Sequence, residues 1–250
     1  MFEKERERWN SIKTVRDYFN FIEDPTLEVH TFMFENCDLS KSGWWIVGNI
    51  KFDIDIDAIL EQQPLKDQKA TEVSKVTRLP SEEIHHEKFG YTNGYDRHVA
   101  KGEMTKIVEA LGFEANYQAV INNQPPAGVL HRHTDLISSY MYEGGKIINP
   151  DQEYDIDLRQ PKGSKPIWRC FVALDDWHPG QLVYFEPKLW THWKKGDVMF
   201  FDWRNTPHSS ANTGVEQRPL LKITGYLKDD SYVINSRESG TKTQWIIDDK

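Results

Sequence analysis

The sequence predicts a mainly β fold with flanking α-helices, and three observations carry that reading. Helical periodicity marks residues 1–22 and the stretch from Met104 to Leu111, short strand-like runs crowd the second half, and turn residues punctuate those runs. Helices first and antiparallel strands afterwards suit a sandwich or barrel buttressed from its N-terminal side. A chain of 250 residues is within reach of a single all-β domain. No linker or internal repeat divides it, so residues 1–250 read as one domain. Residues 1–115 supply helices and strands that buttress the core, 116–236 the core itself, and 237–250 a C-terminal tail.

Residues 1–22 carry an apolar stripe of Ile12, Val15, Tyr18, Phe19 and Ile22 at helical spacing. Pro25 closes that helix by removing a donor and restricting the residue before it. Leu27–Phe34 and Trp44–Ile50 then read as strands around a turn-rich stretch from Asn36 to Gly43. Phe52–Asp57 alternates apolar and acidic residues. A calcium loop starting at Asp53 would need glycine and glutamate where Ala58 and Pro64 stand, so a solvated strand edge or a helix entry is expected. Gln62–Asp96 is polar and reads as loop, with a short strand at Val73–Thr77. Met104, Ile107, Val108 and Leu111 share a helix face that Gly112 ends. Strands are then expected at Tyr117–Asn123, Ile167–Leu174, Gln181–Phe185, Val198–Asp202, Pro219–Tyr226 and Tyr232–Asn235.

Composition removes several classes of function. The formal charge of −8 argues against a phosphate-backbone partner, which needs clustered Lys and Arg. Cys37 and Cys170 are the only cysteines, neither in a C-x-x-C pair, so they read as reduced thiols with Cys170 in a strand core. The charged N-terminus lacks an apolar signal region, and no apolar run reaches the ~20 residues of a membrane helix. A cytoplasmic location is therefore expected.

The chemistry concentrates at His131-Arg-His-Thr-Asp135. His133 and Asp135 are two apart, so on an extended strand their side chains leave one face. An imidazole beside a carboxylate is two-thirds of a facial metal site. His208, between Pro207 and Ser209-Ser210, is the best third member, because an imidazole buried merely to pack would leave its nitrogens in need of partners. Two histidines and a carboxylate suit a non-haem Fe(II) centre with open positions, although catalytic zinc accepts the same set. His131 competes with His133 for the ligand position, and its other readings are a pocket residue or a structural one. Asp176-Trp-His178 is the rival pair, but Pro179-Gly180 should place it at a hairpin tip. His85-His86 reads as solvated.

His133-x-Asp135, then His208, then Arg218 ten positions on, resembles the ligand order of Fe(II)/2-oxoglutarate-dependent dioxygenases over about Tyr117 to Leu227. The resemblance implies a double-stranded β-helix (jelly roll, cupin-like) core, with His133, Asp135 and His208 as iron ligands and 2-oxoglutarate and O2 as cosubstrates. Arg218 would anchor the distal carboxylate of 2-oxoglutarate, a task for which a planar guanidinium is suited. The residue two beyond that arginine, often a hydroxyl in relatives, is Leu220 here, so any second donor must come from elsewhere. The stretch around His208 is also similar to the aspartyl/asparaginyl β-hydroxylase branch. That branch commonly lacks the carboxylate that Asp135 supplies, so its substrate is not carried over. An intact carboxylate ligand favours hydroxylation over halogenation.

Around this set, Arg169 is a second candidate for the cosubstrate or the substrate, its alternative being an outward-facing strand residue. Asn122 and Gln124 share one face of the strand leading to the motif; Asn122 is a candidate for the cosubstrate, while Gln124 and His131 could line a substrate pocket. These polar residues suggest a small polar substrate such as an amino acid or its derivative, with a peptide or protein side chain as the alternative. A non-catalytic metal- or sugar-binding jelly roll is the competing class, and it has no need of Arg218.

Overall fold

The computed structural model describes residues 2–61, 96–137, 142–143 and 146–247. In chain order the elements begin with helices α1 (Glu3–Asn10), α2 (Val15–Ile22) and α3 (Val29–Glu35), strand β1 (Trp44–Lys51) and helix α4 (Ile56–Leu60). Strand β2 (Asp96–Val99), helix α5 (Met104–Ala110), and strands β3 (Gln118–Gln124) and β4 (Val129–His133) follow. Two short hairpins come next: β5 (Tyr142–Glu143) with β6 (Lys146–Ile147), and β7 (Tyr154–Asp155) with β8 (Gln160–Pro161). The remaining strands are β9 (Trp168–Ala173), β10 (Gln181–Phe185), β11 (Lys188–Trp190), β12 (Asp197–Phe201), β13 (His208–Asn212) and β14 (Arg218–Gly225). Helix α6 (Ser231–Ser239) and strand β15 (Thr243–Ile246) close the chain.

Two sheets face each other. One has seven strands in the order β15-β1-β12-β9-β14-β3-β2, the other four in the order β11-β10-β13-β4. The chain crosses from one sheet to the other between β3 and β4, β9 and β10, β11 and β12, β12 and β13, and β13 and β14. That winding is a double-stranded β-helix, or jelly roll. Period-two patterning drives it. On β9, Phe171 and Ala173 point into the space between the sheets with Val183, Phe185, Met199, Phe201 and Leu220. Cys170 and Val172 point the other way, onto a second core with Met104, Ile107 and Val108 of α5. Each large apolar side chain so buried contributes about 1.5–3 kcal/mol.

Several expectations need correction. Residues 1–22 are two helices, because Thr14 starts a new one: its hydroxyl accepts from Asp17 N (3.2 Å) while the Asp17 carboxylate accepts from Thr14 N (3.0 Å). Leu27–Phe34 is not a strand. Val29, Phe32 and Met33 recur at three- and four-residue spacing, and α3 buries them against α1 and α2. Tyr232–Asn235 is likewise helical, within α6, where Val233 and Ser236 are buried one turn apart and Gly240 (φ 73°) ends the helix. The supposed tail contains β15, paired in parallel with β1, so strands from both sides of 116–236 join the large sheet. The helix-entry reading of Phe52–Asp57 holds, since Asp55 caps α4 by accepting from Ala58 N. The expected strand at Val73–Thr77 and the pair His85-His86 lie outside the described residues, as does Gln62–Asp96 apart from Asp96, which begins β2.

Candidate metal centre

His133 ends β4 and His208 begins β13, and the two strands pair so that these residues face each other directly. Their rings lie 4.3 Å apart. Asp135, just beyond the strand, turns back between them: Oδ1 is 3.9 Å from His133 Nε2, and Oδ2 is 3.8 Å from His208 Nε2. Among the described residues, these three form the one group of His, Cys, Asp and Glu side chains that could hold a metal ion, with ligand atoms all within 4.8 Å of one another.

The local chemistry fits a metal. His208 Nδ1 lies 3.1 Å from the Thr206 carbonyl, which fixes the proton there and leaves the Nε2 lone pair for coordination. Phe185 and Phe201 flank the ring at 5.4 and 5.3 Å and shut out water. Burial pushes His208 below its usual pKa, outweighing the opposing pull of Asp135, so the ring favours the neutral, ligating form. Burial alone would raise the Asp135 carboxyl, but Arg169, His208, Lys222 and His133 together hold it well below the usual carboxylate range. His208 and Asp135 thus both favour the protonation state that ligates a metal.

Arg169 is the closest cation. Its Nη1 contacts Asp135 Oδ2, and its Nε donates to Thr224 Oγ1 at 2.8 Å. It is 5% exposed, so the outward-facing alternative does not hold. Arg218 opens β14 opposite Gln124, is buried, and donates through Nη1 to the Leu182 carbonyl (3.0 Å) and through Nη2 to Ser210 Oγ (3.1 Å). Gln124 Nε2 donates to the same hydroxyl at 3.1 Å. Ser210 therefore joins Arg218 and Gln124 to β13, two residues from His208. Asn122, opposite Leu220, is buried with no hydrogen-bond partner at Oδ1.

On the backbone, a register shift lies between His208 and Ser210, whose partners are His133 and Leu130. The His131 side chain lies outside the described part. His178 is 3.3 Å from Asp175 on a surface turn, away from the triad as expected. Sequence reasoning missed Ser210, Lys222 and Thr224. The signal for the last two was present: they follow Arg218 and Leu220 at two-residue steps along one strand face, while Leu221 and Ile223 serve the other core. Ser210 stands two beyond His208, the same step that links His133 to Asp135.

Fold and site together define a jelly-roll protein with a candidate mononuclear metal centre. No family model matches the sequence, and no curated protein matches it. Among solved structures, the chain is similar to a cupin 2 conserved barrel domain protein from Salinispora arenicola (10% identical, 58% of this chain and 83% of that one, TM-score 0.28). It is also similar to KdgF from a Halomonas species (11%, 56% and 87%, TM-score 0.30). A third similar structure is the cupin domain of Cnp3 from Schizosaccharomyces pombe (13%, 63% and 79%, TM-score 0.29). At these values the similarity adds nothing to the strand order already described. Among the described residues no helix is long and apolar enough to cross a membrane.

Proposed function

We propose that this chain is an Fe(II)- and 2-oxoglutarate-dependent oxygenase that hydroxylates an unactivated C–H of a small polar metabolite such as an amino acid or derivative. The observation that supports this over a plain metal-binding jelly roll is Arg218. A buried guanidinium, hydrogen-bonded to Leu182 O and to the hydroxyl of Ser210 two residues beyond His208, stands ten positions after His208, where the dioxygenase ligand order calls for it. A structural or hydrolytic metal site has no use for it.

In this reading His133, Asp135 and His208 hold the iron, which with 2-oxoglutarate and O2 supplies the oxidising chemistry when bound. Arg218 binds the distal carboxylate through its planar fork. Ser210, whose oxygen accepts from both Arg218 and Gln124, still has its own O–H to donate. It is thus the second donor that Leu220 does not supply. Arg169 keeps Asp135 ionised and oriented, and Phe185 and Phe201 keep water from the His208 side. The substrate sits toward the mouth, near Asn122, with a peptide side chain as the alternative.

Anaerobic Fe(II) titration should reveal one site that His208→Ala weakens strongly. Given Fe(II), 2-oxoglutarate and oxygen, the protein should release succinate slowly even without substrate. Arg218→Met should raise the 2-oxoglutarate requirement by on the order of ten- to a hundredfold, the worth of a charged hydrogen-bond partner. Metal binding without any 2-oxoglutarate binding would leave the jelly-roll metal protein and remove the oxygenase.

A further inference from the structure

Lys222 has no role among the metal ligands or the cosubstrate residues, yet the sheet register sets it beside the triad. On β14 it shares a face with Leu220 and Thr224, while Leu221 and Ile223 serve the other core. Its direct partner on β9 is Phe171, whose ring meets Phe185 and Phe201, the two rings that flank His208. The next inward pair, Thr224 with Arg169, carries the guanidinium that touches Asp135. Lys222 therefore stands between the surroundings of two triad members, and its charge reaches both Asp135 and His208.

Solvent reaches the barrel interior on this side. Every other residue of β14 is buried, and Lys222 alone is partly exposed. Val120, its partner on β3, is partly exposed as well, and the His133 and Asp135 side chains are 23% and 13% exposed. Lys222 and the triad thus share one opening. Packing gives no reason for an ammonium there, because Leu220 and Phe171 are apolar and a strongly hydrated charge resists burial beside them.

The charge around the opening favours an anion. Strands β3, β4, β9, β13 and β14 contain no Asp or Glu, while Arg169, Arg218 and Lys222 lie on inward positions. Arg169 is engaged with Asp135, and Arg218 is held by Leu182 O and Ser210 Oγ. Four residues of β14 separate Arg218 from Lys222, roughly 13 Å of strand, so the two cations approach the triad from different ends. An anion beside Lys222 meets only one nearby carboxylate of the site, Asp135, which already has Arg169.

We propose that Lys222 determines specificity: its ammonium takes the carboxylate of an acidic substrate and so holds a neighbouring C–H toward the triad. This rests on the oxygenase reading and narrows its small polar metabolite to one bearing a carboxylate, such as a free or N-acylated amino acid. A compact charge on a flexible four-carbon stem suits a group that must grip a substrate and then release the product.

The test uses the full-length protein loaded with Mn(II), in place of iron, and 2-oxoglutarate. Free and N-acetylated L-amino acids, each beside its carboxamide, are titrated by calorimetry at constant ionic strength. At least one acid should bind on the order of tenfold more tightly than its amide, the worth of one charged hydrogen bond. Lys222→Met should erase that preference and Lys222→Arg should keep most of it; Lys222→Gln takes the place of the methionine variant if that one does not fold. With Fe(II) and oxygen, the acid that binds should stimulate succinate release more than its amide does. Failure of 2-oxoglutarate to bind the Mn(II) protein would sink the oxygenase reading by itself, and the acid–amide comparison on the Mn(II) protein alone then decides Lys222 separately. No acid binding better than its amide, or a preference unchanged in Lys222→Met, would overturn the assignment. So would a Lys222→Met protein that loses 2-oxoglutarate and keeps the acid preference, since Lys222 would then anchor the cosubstrate.

Discussion

Replacing Arg169 by methionine removes the guanidinium that touches Asp135 while keeping a flexible apolar chain in its place. In the metal-free protein the Asp135 side chain is 13% exposed, so the carboxylate left behind is largely cut off from water. Breaking a buried pair from one side costs about 3–5 kcal/mol. Residual contact with solvent and the nearby Lys222 charge place the effect at the lower end, about 3 kcal/mol. For a chain of this size that lowers the melting temperature by roughly 6–12 °C. A divalent ion at the triad supplies more positive charge than the lost guanidinium, so the metal-bound variant should regain most of the deficit. The melting-temperature rise on adding Mn(II) or Zn(II) should therefore be larger in Arg169→Met than in the parent, because metal binding now also relieves an unpaired carboxylate. Thermal unfolding with and without metal, with Arg169→Lys as the charge-preserving control, measures all four corners of the cycle. A variant as stable as the parent without metal, with the same metal response, would show that Asp135 does not depend on Arg169.

The pH profile follows from the two depressed pKa values. Below 6.5 the unfolded histidine takes a proton more readily than buried His208, and below 3.8 the same holds for Asp135, so stability is lost as pH falls through each window and not as it rises. Urea midpoints of metal-free protein should be flat above about pH 7 and fall in two stages below it, with the first stage reduced in His208→Gln; rising stability from pH 7 to 5 would refute the assignment. Metal affinity should decline over the same acid range, since protons compete for the same donors. Gly48→Ala tests the edge of the large sheet: a β-carbon there would lie 1.8 Å from the Thr243 carbonyl oxygen, a backbone atom that cannot swing aside. The substitution should detach β15 from β1, cost roughly 1–3 kcal/mol, and open residues 243–246 to hydrogen exchange.

The sequence by itself determined the triad and the kind of fold that carries it. Short-range spacing suffices for His133 and Asp135, because two residues along an extended chain share a face whatever the rest of the protein does. The strand runs from Gln118 to Gly225 were legible as short apolar runs between turn residues; Arg169–Ala173 and Arg218–Gly225 are buried on both faces, with alternate residues serving the two cores. Tertiary structure decided what local pattern leaves open. Val29–Glu35 and Ser231–Ser239 have the β-branched and aromatic content of strands, and only a neighbour to pack a helical face against made them helices. The ladder between β13 and β4 shifts register next to His208, and no propensity marks where such a shift falls. Whether Arg169 met water or Asp135, and whether a hydroxyl from another strand could replace the one missing at Leu220, depended on how two sheets lie face to face. Such pairings join residues on different strands, and a chain specifies them only through the whole packed core.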